Sequence, residues 1–335
     1  CVGKNIFVAT GGKANFQYYD GKASYSTDCY SITTKEFVDT KFLFYFLKLK
    51  TDEINKTMFQ GMGLKHLQKQ QFKDIKILLP TLVEQKLIVE KLDATFAKID
   101  KTIKVIENKR KKSSIIFNNL LSSIFKNNSL SWEQQKLKNI TLKIGSGATP
   151  RGGQNSYKEE GISLIRSMNV YDLHFKYENL AKIDEEQANK LSNVNVEKND
   201  VLLNITGASV ARCCVVEKDV LPARVNQHVS IIRVKENTVL PKLLAYGLIS
   251  KPLKEKLLEV GNSGGATRQA ITKKQIEDFT FSYPSNKEVQ IKLINKIDSI
   301  FLQTKKLSKI LEKKIVQYNF LKISILNQNL NSKSS

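Results

Sequence analysis

Acidic residues are in short supply. Against 54 lysines and arginines the 335-residue sequence sets 32 aspartates and glutamates, a net charge of +22 and an isoelectric point near 9.6. That deficit argues against a cationic partner and favours a polyanion, nucleic acid above all. Histidine and cysteine are also few. His66, His174 and His228 are scattered, and the cysteines at 1, 29, 213 and 214 match neither a zinc site nor a disulfide framework. A cytoplasmic protein with reduced thiols is expected. No stretch stays apolar for the roughly twenty residues of a bilayer crossing, so no membrane helix is expected. The opening "CVGKNIFVATGG" lacks a signal-peptide pattern and reads as a strand entering a turn, as if the sequence were cut within a domain.

Catalytic signatures are missing too. The sequence holds no Asn/Asp-Pro-Pro-Tyr/Phe and no Phe-x-Gly-x-Gly, the marks of an adenine methyltransferase, and no Ser/His/Asp set. Its glycine-rich "KIGSGATPRGG" (143–153) is not followed by the Gly-Lys-Ser/Thr of a phosphate loop. Acidic neighbours such as Asp184 and Glu185 read as solvent surface. An enzyme is not expected from these residues.

What the sequence does contain is a repeat. Asp93 opens "DATF" and Asp298 opens "DSIF", and at that same offset Gln85 meets Gln290, Lys91 meets Lys296, Phe96 meets Phe301, Glu107 meets Glu312 and Leu121 meets Leu326. Conservative pairs join them: Ile88 with Leu293, Leu92 with Ile297, Ile106 with Leu311. After a one-residue shift the match continues upstream through Pro80 with Pro284, Asp74 with Asp278, Gln71 with Gln275 and Leu67 with Ile271. Further up, "VATGG" (8–12) resembles "NITGA" (204–208). The chain therefore reads as two copies of one unit, globular part first and long helix second, with the first copy lacking its opening residues.

Each helix carries an apolar seam with alternating steps of three and four. In the first copy it runs Ile88, Leu92, Phe96, Ile99, Ile103, Ile106, Arg110, Ser113, Phe117, Leu120 and Ile124. In the second it runs Leu293, Ile297, Phe301, Thr304, Ser308, Leu311, Ile315, Tyr318, Lys322 and Ile325. At roughly 1.5 Å per residue, forty residues make a rod of about 60 Å. One rod alone leaves a long apolar stripe in water; two in one chain cover each other. The lysines between are then the solvated flank of a coiled coil and not a basic arm wrapped on DNA. Pro80 and Pro284 mark the helix entries, and "FKNNSLSWEQQKL" (125–137) is the polar joint between the copies.

The complete globular unit, 135–284, alternates β-branched strands with glycine and Asn/Asp turns: "GISLIRSMNV", "DVLLNITGASVARCCVV" and "LPARVNQHVSIIRV". A helix broken near Pro252 and a short helix "TKKQIEDF" follow, so the class is α+β. Its turns collect side chains suited to base edges and phosphates. Thr149 and Arg151 lie in the glycine-rich loop, and Arg166 and Asn169 flank a strand end. Asn204, Thr206, Ser209 and Arg212 surround the Thr-Gly turn. Arg224, Asn226, Gln227 and His228 sit together, and Thr267, Arg268 and Gln269 follow "SGGA". The first copy offers Lys13 and Lys65, with Thr10, Ser26, Thr27 and His66, ranked below these.

With those segments in view, the sequence resembles the specificity (S) subunits of type I restriction–modification systems. The likeness rests on "GSGATPRGG…GISLIRSMNV", "NDVLLNITGASVARCCVV…ARVNQHVSIIRV" and "GGATRQAI…QIEDFTFSYP…EVQIKLINKID", with "QQFKDIKILLPTLVEQKLIVEKLD" in the first copy. It implies two target recognition domains, each reading half of a split site on double-stranded DNA. It also implies an antiparallel coiled coil of two conserved helices as spacer. These would dock two methyltransferase (M) subunits per chain, with restriction (R) subunits joining through the complex. S-adenosylmethionine is then expected on the M subunit and no cofactor on this chain. The expected division is 1–80, the C-terminal part of recognition domain 1; 81–126, spacer helix 1; 127–134, linker; 135–284, recognition domain 2; 285–330, spacer helix 2; and 331–335, a tail. A repeat scaffold that recruits partners without reading DNA, or a diverged nuclease or methyltransferase, are the alternative readings.

Overall fold

The computed structural model describes residues 1–126, 132–235, 237–262 and 270–331. Thr267, Arg268 and Gln269 lie outside the described residues, as do 127–131 of the expected linker. Two compact units divide the chain: residues 1–111 with 308–335, and residues 112–307. The division cuts through both long helices instead of falling at their ends.

In the first unit, β1 (Lys4–Ala9), β2 (Phe16–Asp20) and β3 (Cys29–Ile32) form an antiparallel sheet in the order β2-β1-β3. Alternation along "KNIFVA" turns Ile6 and Val8 to one face, where both are fully buried beneath Phe46 and Leu47 of α1 (Thr40–Leu49). Asp39 caps that helix, its carboxylate accepting from the backbone N–H of Lys41 and Phe42 at 2.9 Å. Then come α2 (Thr51–Thr57), the short pair β4 (Phe59–Gln60) and β5 (His66–Leu67), and α3 (Lys69–Lys73). The long α4 (Leu82–Lys126) opens on a capping box: Glu84 accepts from Thr81 N–H at 3.0 Å and Thr81 Oγ1 accepts from Glu84 N–H at 3.3 Å.

The second unit begins with β6 (Trp132–Lys136), α5 (Leu137–Ile140) and β7 (Thr141–Ser146). Next are β8 (Ile162–Ile165), β9 (Val170–Tyr171), β10 (His174–Phe175), β11 (Ala181–Ile183) and α6 (Glu185–Asn189). They lead to β12 (Val201–Asn204), β13 (Cys213–Val215), β14 (Ala223–Val225) and β15 (Val229–Val234). After these follow α7 (Pro241–Ile249), α8 (Lys251–Asn262), α9 (Lys273–Asp278), β16 (Thr280–Pro284) and the long α10 (Lys287–Asn331). The main sheet has the order β13-β12-β15-β7, and a smaller one the order β11-β8-β14. Strand β12, "VLLN", is buried at every residue because both its faces are covered. Val201 and Leu203 meet α7, while Leu202 meets the core under β8 and β14. The expected linker is partly strand, since β6 starts at Trp132 and pairs antiparallel with β16.

The long helices run antiparallel within each unit. In the first, Val89 and Leu92 near the start of α4 share a core with Leu326 near the end of α10. Lys322 pairs with Asp100 and lies over the Phe96 ring at 5.4 Å, and Arg110 reaches Glu312 at 3.9 Å. In the second, Phe117, Leu121 and Phe125 meet Ile294 and Ile297, and the Phe117 and Phe301 rings stand 5.1 Å apart. Leu92, Ile99 and Ile106 of the expected seam are buried, as are Ile297 and Leu311, and Phe96, Ile103, Phe301, Ile315 and Tyr318 are half-buried. At the outer ends the seam turns by one residue: Val89 and Ile294 go deeper than Ile88 and Leu293, and Leu121 and Phe125 deeper than Leu120 and Ile124. There the helices are covered by globular side chains as well as by each other. Phe125, for one, packs on Trp132 and Phe281.

The repeat extends to hydrogen bonds. Gln85, fully buried, accepts from Asp39 N–H at 2.8 Å and donates to the carbonyls of Phe37 and Pro80 at 3.1 and 2.9 Å. Gln290, also fully buried, accepts from Leu240 N–H at 2.8 Å and donates to Thr238 and Pro284 at 2.9 and 2.8 Å. One helical turn or two further on, Asp93 takes Lys41 and the Tyr45 hydroxyl, and Asp298 takes Lys242 and the Tyr246 hydroxyl. Burial and the aspartate both push the two tyrosine pKa values up, burial more. Each globular part is thus latched to its own long helix by the same four polar residues.

One alignment shifts. Thr10 N–H donates to Asp28 O at 3.0 Å and Thr10 O accepts from Leu67 N–H at 2.8 Å; Ile205 makes the same two bonds with His228 and Ile271 at the same lengths. Gly12 and Gly207 both have positive φ, 81° and 75°. Thr10 therefore stands where Ile205 does, and the match of "VATGG" to "NITGA" is one residue out. A strand turns a different face with every residue, so Ile6 and Val8 reach α1 only in the register in which Val201 and Leu203 reach α7.

Candidate nucleic-acid interface

Three turns of the second unit converge at one end of its main sheet. The loop after β7 passes so close to β14 that Gly147 donates its N–H to Asn226 O at 3.2 Å. A Cβ on Gly147 would fall 1.8 Å from Val225 O, so only glycine fits. Two residues on, Thr149 donates to the Gln227 side chain at 2.5 Å. Beside them, Thr206 and His228 Nδ1 lie 2.5 Å apart. The third turn, Gly207–Ser209, is tied down by Asn204, whose amide donates to Ser209 Oγ at 3.1 Å and to Ser167 O at 2.9 Å. Arg212 follows, its guanidinium 4.6 Å from the centre of the Tyr171 ring. The outcome is a rim carrying Thr149, Thr206, Ser209, Arg212, Gln227 and His228, all at least partly exposed, with Arg151 exposed in the adjoining loop.

Five candidates take other roles. Asn169 is fully buried; it accepts from Arg166 N–H at 3.1 Å and donates to Lys176 O at 2.9 Å. Asn204 is fully buried as the turn's prop, and Asn226 is buried, accepting from His228 N–H at 3.0 Å. Arg166 binds Asn179 O at 2.5 Å and lies over Tyr157, with its Nε buried. Arg224 turns to the Ala188 and Ala223 carbonyls at 3.1 and 3.0 Å, and burial lowers its pKa. The three asparagines are spent on the turns of their own fold and the two arginines give donors to its carbonyls, so all five brace the site. Residue type flagged all five; burial separates the three asparagines from the rim, while the two arginines are half-buried like most of the rim and differ from it in reaching backbone carbonyls.

The first unit repeats the arrangement with different side chains. Its Gly12 N–H donates to Lys65 O at 2.8 Å and Gly11 bridges His66, which brings Lys13, Lys65, His66 and Thr10 to one edge. The Thr10–Asp28 bond sets Ser26 and Thr27 in the neighbouring turn, where the second unit has Asn226 and Gln227. What the sequence reading missed is the latch tyrosine. Its signal was present: "KFLFY" (41–45) and "KLLAY" (242–246) both place a lysine four residues before it.

Among the described residues no group of histidines, cysteines and carboxylates is placed to hold a metal, and no helix is long and apolar enough to cross a membrane. Burial raises both the Cys213 and Cys214 thiols, the latter to about 12, so neither is a thiolate at neutral pH.

Known proteins agree with this layout. The EcoBI type I restriction enzyme specificity subunit of Escherichia coli is 24% identical over 291 residues, covering 79% of this chain and 60% of that protein. The StySPI specificity subunit of Salmonella potsdam is 22% identical over 332 residues, 94% of this chain and 70% of that protein. The MjaVIII specificity subunit of Methanocaldococcus jannaschii is 29% identical over 237 residues, 66% and 54%. The chain thus spans a little over half to about two thirds of the length of these relatives. Among solved structures, a chain from work on complex assembly and conformational transition of the type I R-M system aligns with a TM-score of 0.78 at 20% identity, covering 98% of this chain and 81% of that one. The HsdS subunit from Thermoanaerobacter tengcongensis aligns at 0.53 and 19%, covering 97% and 80%. These two likenesses show the fold. The family model described as the type I restriction modification DNA specificity domain matches residues 2–112 and again 129–317. The second match repeats the first, as the duplicated latch does, and the chain belongs to that family.

Proposed function

We propose that this chain is a sequence-specific DNA-recognition subunit of a type I restriction–modification complex. It reads a bipartite target and positions M subunits for adenine methylation, without chemistry of its own. The single observation that carries the reading is the duplicated module, two globular parts each latched through glutamine and aspartate to its own long helix. A scaffold needs no rim of polar and cationic side chains held by glycine-dependent turns, and that favours the reader over the rival. Thr149, Arg151, Arg212, Gln227 and His228 are the side chains assigned to base edges and phosphates in the second unit, and Lys13 and Lys65 in the first. The lysine-rich surface supplies backbone affinity. Double-stranded DNA and two M subunits are the direct partners, R subunits join through the complex, and the setting is cytoplasmic. S-adenosylmethionine belongs to the M subunit, which takes the target adenine out of the stack.

The test is DNA binding by the chain loaded with M subunits, measured over a series of salt concentrations. A reader keeps a preference for one sequence as salt removes non-specific affinity; loss of all preference together with affinity would leave only a scaffold. The long helices act as the ruler in this reading. Four residues inserted between Lys109 and Lys112 should change the number of base pairs tolerated between half-sites, and an unchanged spacing would remove the ruler.

A further inference from the structure

Arg212 differs from three other arginines of the second unit. Arg166 gives a donor to the Asn179 carbonyl, Arg224 reaches those of Ala188 and Ala223, and Arg233 is spent on Asp200, Glu197 and Asn195 O. Among the described residues the Arg212 guanidinium makes no hydrogen bond or ion pair. It lies against the Tyr171 ring, 4.6 Å from its centre. Its fork of N–H donors is therefore available to a ligand.

Backbone bonds fix both sides of that contact. Arg212 O accepts from Asn204 N–H at 2.9 Å, and Arg212 N–H donates to Ser209 O at 3.2 Å. On the other side Asp172 accepts from Cys213 N–H at 3.3 Å, Leu173 N–H donates to Cys213 O at 2.9 Å, and Tyr171 pairs with His174 across β9 and β10. Just before the arginine, Ala211 has a φ of 64°, a left-handed conformation that a β-carbon makes costly and that glycine adopts freely. Ala211 is fully buried in the core, its N–H donating to Asn204 O at 2.9 Å. The fold thus keeps a strained alanine where the arginine leaves the turn, and strain of this kind gathers where a side chain has to be aimed.

We infer that Tyr171 is a positioning residue: its ring and the Ala211 backbone hold the Arg212 fork ready for the O6 and N7 edge of one guanine in the target. Guanine alone offers two acceptors side by side in the major groove, and a planar fork meets them with two parallel bonds. A phosphate asks for less, since a charge on a flexible lysine stem serves it without an aromatic seat. The inference deepens the DNA-reading function proposed above and rests on it.

The test uses the chain loaded with M subunits and duplexes of its preferred sequence, each guanine replaced in turn by 7-deazaguanine. That base keeps O6 and its pairing but lacks N7. At one position the replacement should cost the unaltered chain about fivefold or more in affinity, and cost Arg212→Ala nothing further. Tyr171→Phe, which keeps a ring face for the cation, should retain that response; Tyr171→Leu should lose it at unchanged salt dependence. Where Tyr171→Leu lowers the melting temperature, Tyr171→Thr takes its place in the strand. A preferred sequence without guanine, or additive losses at every guanine, overturns the inference. So does Tyr171→Leu responding as the unaltered chain does, or Arg212→Ala weakening all sequences alike with a shallower salt slope, the mark of a phosphate contact. In each of those cases sequence preference survives and the reading function stands; a complex without any preference overturns both.

Discussion

Ile77 and Phe281 occupy equivalent places in two copies of one module, and their surroundings differ. Phe281 is fully buried, stacked 6.3 Å from Tyr283 in a strand that β6 completes; Ile77 is half-buried at the wall of an open cavity. Yet the polar latches beneath them, Gln85 with Asp93 and Gln290 with Asp298, are bond for bond the same. Attachment to the helix and pairing of the last strand use different residues of the module. The first depends on residues inside the copy that follow its sheet, the second on a segment that precedes it.

The comparison can be broken most forcefully at the helix seam. Leu92→Ala and Ile297→Ala each remove a fully buried side chain at equivalent positions, and each should cost about 2–5 kcal/mol in urea unfolding followed by probes in its own unit. A loss in one unit only would mean that the duplicated seams are not energetically alike. Next in size, Gln85→Leu and Gln290→Leu leave one buried N–H and two carbonyls without partners. Each should destabilise by about 1–3 kcal/mol or more, equally in the two copies.

The comparison sharpens at the rim. Arg212→Ala or Gln227→Ala should lower binding of a preferred DNA by about 1–3 kcal/mol while non-specific binding changes less. Lys101→Ala, on the solvated side of α4, should leave sequence preference untouched. Equal effects from all three would dissolve the rim assignment. Arg224→Ala should act on the melting temperature and not on base preference, as a brace does.

The smallest effect lies at Asp278, where β6 and α5 meet α9. The Lys136, Lys274 and Lys138 ammonium groups hold the Asp278 carboxyl down at about 2. A carboxyl held below its ordinary value stabilises the fold above pH about 4 and loses that contribution as pH falls from about 4 to 2. Asp278→Asn should therefore lower the second unit's stability slightly at neutral pH, leave it nearly unchanged at pH about 2, and so flatten the acid limb between them. A steeper acid limb in the variant would reverse the assignment.

Much of this architecture is legible in the sequence, because heptad spacing and a long-range repeat are one-dimensional signals. Leu92 with Ile297 and Gln85 with Gln290 are paired there before any coordinates. Register is harder. "VATGG" and "NITGA" share Thr-Gly by eye, but which face each residue turns to a helix is decided by packing, and that moves the match by one. The binding rim was least legible. Asn169, Asn204 and Asn226 carry the donors and acceptors of a base reader, but burial commits those groups to neighbouring turns. Gly147, by contrast, is an unremarkable letter whose necessity appears only beside the Val225 carbonyl.

The central claim is that this chain directs methylation without performing it. Methylome sequencing of cells that carry the intact gene with its M partner, beside cells lacking the gene, tests it most directly. The account predicts modified adenines confined to one split motif that vanishes with the gene and is altered by Gln227→Ala. An unchanged set of modified adenines after deletion, or methyl transfer to DNA by the purified chain alone, would contradict it.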